Sequence, residues 1–191
     1  MHPRGDYSPV WSPDGSKLGF TSSRNNSDSD IWYVWLKKED YQKTKQDWDD
    51  EESETSDDKD DKDSEESKDI VIDRELIHER LVQLTSLSGD EGGLAISKDG
   101  KTFYFTSTSP VNKGSDLYKI NWDKTDMEAV TKGGKSPRGI ELDSKGKYLY
   151  LSMKGKLSRI AVSSDKLESL PFKGKMTVDF EDELNQVFEE G

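Results

Sequence analysis

The chain has 191 residues, 36% of them charged and only 30% hydrophobic, and its 28 basic against 40 acidic side chains leave a formal charge of −12. With no cysteine there are no disulfides, thiol nucleophiles or Cys-ligated metals, and two histidines, His2 and His78, are too few for an all-His zinc site. No apolar run reaches the roughly 20 residues of a membrane-spanning helix, and the acidic balance opposes nucleic-acid binding, which rests on phosphate neutralisation by Lys and Arg.

In chain order, the first recognisable unit is WSPDGSKLGFTSS, Trp11 to Ser23, and it returns as ISKDGKTFYFTST, Ile96 to Thr108, and as LDSKGKYLYLSMK, Leu142 to Lys154. Each copy reads as an apolar pair, a Ser/Asp-rich tight turn ending in Gly, a Lys and an alternating strand. Gly15, Gly100 and Gly146 fall where a hairpin turn needs positive φ, and Asp14 and Asp99 before them shape the turn. A third strand follows each hairpin: DIWYVWL from Asp30, DLYKIN from Asp116 and KLSRIAV from Lys156. Then comes a fourth: RLVQLT from Arg80, EAVTK from Glu128 and KLESLPF from Lys166. Four short strands per unit, with 46 residues from Gly100 to Gly146, predict β-propeller blades.

The acidity is concentrated between the third and fourth strands of the first unit. Residues 37–69 hold 16 acids and 7 bases, which leaves −3 on the rest of the chain. Their only large apolar side chains are Tyr41 and Trp48, too little to offset the entropy of ordering, so the segment is expected to be a disordered, solvated insertion. Setting these 33 residues aside shortens the Gly15 to Gly100 interval from 85 to 52, close to the blade period. Trp48 has no core to join unless the insertion docks, and is a weak candidate for a partner contact.

After the third unit, residues 174–178 read as a linker or strand. Asp179 is placed to cap a helix that carries Phe180, Leu184, Val187 and Phe188 on one face. The expected organisation is therefore blades over 1–173 and, over 174–191, a linker and the start of a helix leading to a further domain. The fold class is all-β: three four-stranded blades, the acidic insertion and a short C-terminal helix.

The SPDG-K-aromatic-T-S pattern followed by Arg24 and Asp30-Ile31-Trp32 resembles the propeller repeats of TolB-like and tricorn-like proteins. The order of the acidic insertion, IVIDRELIHERLVQLT (Ile70 to Thr85) and MTVDFEDELNQVFEEG (Met176 to Gly191) is similar to the last blades of the second propeller in tricorn-like serine peptidases. That resemblance implies a large peptidase with downstream PDZ and protease domains, and a propeller that guides or filters peptide or unfolded polypeptide substrates. It also implies upstream blades, since propellers close with about four to eight. The family's nucleophilic Ser and its His, Ser and Glu partners belong to core segments without a counterpart in these residues, so no catalytic residue is expected, nor any cofactor or metal. A cytoplasmic location is expected, with the periplasm as the alternative. The rival reading is a stand-alone TolB-like module that binds a protein partner.

The remaining candidates are read as structural. Arg24 is expected to pair with Asp30, while Asp30 and Asp116 open their third strands. His78 is expected to be a partly exposed strand residue, since no nucleophile and acid stand beside it to form a catalytic set. One turn carboxylate per blade, from Asp14 and Asp99, cannot supply the six to eight oxygens of a calcium site. The edges left open by three blades lead to the expectation of edge-to-edge pairing into a homo-oligomer.

Overall fold

The computed structural model describes residues 5–25, 28–48, 50, 70–108 and 114–172. The linker and helix expected over 174–191 lie outside the described residues, as does most of the acidic stretch.

Among the described residues, twelve strands form three antiparallel sheets, each pairing its strands in chain order. The first blade holds β1 (Asp6–Trp11), β2 (Lys17–Ser22), β3 (Asp30–Trp35) and β4 (Leu81–Gln83). The second holds β5 (Glu91–Ile96), β6 (Thr102–Thr108), β7 (Ser115–Asn121) and β8 (Glu128–Ala129). The third holds β9 (Arg138–Leu142), β10 (Tyr148–Met153), β11 (Lys156–Ala161) and β12 (Lys166–Ser169). The all-β reading from the repeats is therefore what the chain adopts, strand for strand.

Alternation along the strands explains how the sheets stack. Successive side chains point to opposite faces, so a sheet with neighbours on both sides needs apolar residues at every position. β6 meets that demand with Phe103, Tyr104 and Phe105, all buried. Phe103 and Phe105 join Ile31, Tyr33 and Trp35 of the first blade, whereas Tyr104 joins Leu149, Leu151 and Ile160 of the third. The two seams thus use opposite faces of one sheet.

A bulge recurs in the first strand of every blade. The register shifts between Tyr7 and Val10, between Gly92 and Ala95, and in β9 opposite Tyr150 and Ser152. At the same point in each strand stands a residue of positive φ: Ser8 at 52°, Gly93 at 57° and Gly139 at 59°. A left-handed residue at a bulge bends the strand and turns its backbone groups away from the ladder.

The insertion departs from its expected behaviour at its first residues. Lys38–Gln42 form a short helix, α1, and Trp48 packs on the first seam with its ring stacked 5.5 Å from that of Trp35. One aromatic ring with a ready seat outweighs the local excess of charge, which composition alone could not foresee. The base of the insertion is also stapled: Asp73 N–H donates to Leu36 O at 2.9 Å, and Lys38 N–H to Asp73 Oδ2 at 2.8 Å. Once its ends are held, the length of the loop costs the blade little.

His78 is not in a strand. It lies exposed in a 3-10 turn, Ile77–Arg80, which precedes β4. The turn is set by Arg80, expected as the first strand residue but found with its guanidinium buried among carbonyls. It donates to Trp35 O at 3.1 Å, Glu75 O at 2.9 Å, Leu36 O at 3.4 Å and Asp73 O. Gathering these carbonyls removes the residues before Leu81 from the ladder.

Gly19 decides how closely the first two blades approach. A Cβ there would stand 2.7 Å from Leu94 Cδ2 and 3.1 Å from Ile96 Cδ1, where the second and third blades carry Tyr104 and Tyr150. Gly19→Ala is expected to destabilise the protein by about 1–3 kcal/mol, as overpacking of a full core does. Chemical denaturation would read this, and an unchanged midpoint would show a looser seam than described.

Candidate functional site

Three features sit at defined places in the stack: the inner edge, the end that carries the β1–β2-type turns, and the opposite end.

The inner edge is made of β1, β5 and β9, which lie side by side. Its bulges leave Ser8, Gly93, Arg138, Gly139 and Glu141 exposed, and Tyr7 is 62% exposed. Thr21 Oγ1 donates to Tyr7 O at 3.1 Å and Thr106 Oγ1 to Gly92 O at 3.0 Å, so the strands are anchored from behind beside their bulges. Such an edge offers backbone groups and small side chains to an extended chain laid along it.

At the turn end, Gly15, Gly100 and Gly146 have φ of 75°, 70° and 71°. Asp14 accepts hydrogen bonds from Ser16 N at 3.2 Å and Ser16 Oγ at 2.6 Å. Asp99 accepts from Lys101 N at 3.0 Å. The repeats align by one shared bond: the N–H of Lys17 donates to Ser12 Oγ, that of Thr102 to Ser97 Oγ, and that of Tyr148 to Asp143 Oδ1. Lys17 therefore stands one place beyond Lys101 and Lys147, on the face that meets the second blade.

That single-residue offset buries Lys17 to 2% exposure. Its Nζ lies 3.9 Å from the ring centroid of Trp35, 5.5 Å from Trp48 and 5.9 Å from Trp122. The ammonium donates to Ser16 Oγ at 2.9 Å, and Ser16 in turn donates to Asp14. Burial pulls the Lys17 pKa down to about 8, against the weaker pull of Asp14, Asp40 and Asp99. Three indole faces supply part of the stabilisation that water would otherwise give a cation.

At the opposite end, the third strands of the first two blades carry a buried Asp at their start, Asp30 and Asp116. Asp116 accepts from Thr131 Oγ1 at 3.0 Å, Gly134 N at 2.8 Å and Lys135 N at 3.3 Å, closing the loop after β8 onto β7. Asp30 has less support: Gln83 Nε2 donates to Oδ2 at 3.0 Å, while Oδ1 is buried without a donor. Thr85 Oγ1 turns away to Glu91 Oε2 at 3.1 Å, and Ser107 Oγ donates to Glu91 Oε1 at 3.1 Å. Burial raises the pKa of both acids, that of Glu91 to about 7, and the neighbouring Asp30 adds to the rise at Glu91.

Arg24 does not serve Asp30. Its Nη2 donates to Asp6 Oδ2 at 2.7 Å, and its guanidinium lies over Phe20 and Trp32. Asp6 holds the place in β1 that Glu91 holds in β5, since each is paired with a serine near the end of the second strand, Ser22 or Ser107. Among the described residues, no group of three or more His, Asp or Glu is placed to hold a metal ion.

No family model matches the sequence, and no curated protein matches it. Solved structures do. TolB from Acinetobacter baumannii superimposes with a TM-score of 0.56 at 18% identity, over 90% of this chain and 33% of that one. The tricorn protease gives 0.54 at 11%, over 91% of this chain and 13% of that one, and puromycin hydrolase 0.53 at 10%, over 89% and 23%. The chain spans a third or less of each of these proteins, and at such identities the likeness is one of fold: these are blades of the propeller kind found in TolB and in peptidases.

Glu91 and Lys17, both buried, predict opposite pH dependences. Glu91 binds its proton more tightly folded than unfolded, so its contribution is full below pH about 4.5 and is lost as pH rises through about 7. Lys17 releases its proton more readily when folded, so stability grows as pH climbs from about 8 toward 10.5. In denaturation across pH, the stability of wild type relative to Glu91→Gln should fall from pH 4.5 to 7. Relative to Lys17→Met it should rise from pH 8 to 10.5, and flat differences would contradict both assignments.

Proposed function

We propose that these blades are a non-catalytic propeller segment of a tricorn-like serine peptidase, whose inner edge guides or filters unfolded peptides toward a protease core carried by the same parent chain. The observation that carries this reading is the row of three bulged inner strands, with Ser8, Gly93 and Gly139 at positive φ and exposed side by side. Backbone freed from the ladder recognises an extended chain without regard to its sequence, which is what a filter for many substrates requires. Exposed Tyr7, Arg138 and Glu141 add contacts that vary around the edge. Peptide or unfolded polypeptide substrates and the downstream PDZ and protease domains are the partners in this reading, and the cytoplasm is its compartment.

The likeness to TolB favours a second reading, a stand-alone module that holds a protein partner. Mass separates the two. An antibody raised against this chain should detect, in its source cells, a protein several-fold heavier than 21.7 kDa that a serine-directed covalent probe also labels. A product of 21.7 kDa, or a heavier one that stays unlabelled, would overturn the peptidase reading.

A further inference from the structure

Lys17 stands where the other two blades carry Thr102 and Tyr148, and no carboxylate accepts a hydrogen bond from its ammonium among the described contacts. A cation is thus buried at a place where the repeat does well with a neutral residue. What the first blade has and the others lack is the insertion, which leaves β3 beside Lys17, since Lys17 pairs with Trp35.

The insertion returns to that point through a short, locally ordered segment. Thr44 and Asp47 bond reciprocally: Thr44 N and Oγ1 donate to Asp47 Oδ2 at 2.7 and 2.8 Å, and Asp47 N donates to Thr44 Oγ1 at 3.3 Å. This is the reciprocal box that starts a helical turn. It places the Trp48 ring near two ammonium groups, Lys17 at 5.5 Å and Lys43 at 4.6 Å, with Lys43 in turn 3.4 Å from Asp40. Lys45 donates to Asp123 of the second blade at 2.7 Å. The indole Nε1 of Trp48 is buried without an acceptor, so hydrogen bonding does not hold the ring. The contacts of its faces hold it, with Trp35 stacked at 5.5 Å and Trp122 tilted at 6.4 Å.

We propose that the Lys17 ammonium, caged by Trp35 and Trp122, is a built-in receptor for Trp48 of the insertion, a latch that straps residues 43–48 across the seam of the first two blades. Lys17 supplies positive charge under an indole face, and the rings exclude the water that would weaken the attraction. The strap closes the Lys17 amine off from solvent. When it lifts, that amine becomes available to acylating reagents.

Trypsin and an amine acetylating reagent test the latch on the full chain. Lys17→Met removes the charge and keeps the bulk, so cutting after Lys43 and Lys45 should quicken at least tenfold while circular dichroism reports intact sheets. Trp48→Ala should do the same, and should also speed acetylation of Lys17, read by peptide mass spectrometry, by at least tenfold. Cutting of Lys17→Met at the wild-type rate would overturn the role of the cation. If that variant failed to fold, the acetylation rates would decide: a Lys17 no faster in Trp48→Ala than in wild type would show that the strap does not cover it.

Discussion

The structure depends on one constraint: a sheet between two others has no solvent face. β6 carries three consecutive buried aromatics, Phe103 and Phe105 toward the first blade and Tyr104 toward the third. Every other element serves this stack. Gly19 lets the first seam close, the β8 loop is drawn in by Asp116, and the turn glycines reverse the chain within the few residues that a narrow sheet allows. Because the strands of each blade follow one another in the chain, the pairings inside a sheet are local, save that of β3 with β4, which the insertion separates.

Where the repeats agree, the residues build the scaffold; where they differ, the protein has its own chemistry. The bulge position is Gly in two blades and Ser8 in the first, and the residue that starts the inner strand is Asp6, Glu91 or Arg138. Asp6 is paired with Arg24, Glu91 accepts from Thr85 and Ser107, and Arg138 is exposed. The position after the turn is Lys17, Thr102 or Tyr148. Thus the two ends of the first seam hold a caged cation, Lys17, and two buried acids, Asp30 and Glu91.

Much of the fold was legible because its signals are local. A Gly at a tight turn followed by alternation marks a hairpin wherever it occurs, and the third and fourth strands followed at regular distances. The candidate site was less legible, since its chemistry joins residues remote in sequence. Arg24 lies six residues before Asp30 yet serves Asp6 across the β1–β2 pair, because strand register and not sequence distance sets its neighbours. Arg80 belongs to an apolar stretch that reads as strand, but the carbonyls of the insertion's base claim its donors first. The docking of Trp48 was hidden by the charge around it. Its one trace in the sequence is the shift of Lys17 by a single place relative to Lys101 and Lys147, which moves a surface lysine into the seam.

If the shared faces of the second blade hold the stack together, the three sheets must open as one. Native-state hydrogen exchange measures this directly through the ladder amides of β3, β6 and β10, which include Ile31, Phe105 and Leu149, all fully buried. The account predicts a common opening free energy for the three blades, equal to that of global unfolding. Blades that exchange at separate rates, with the first or third opening while the second stays protected, would contradict it.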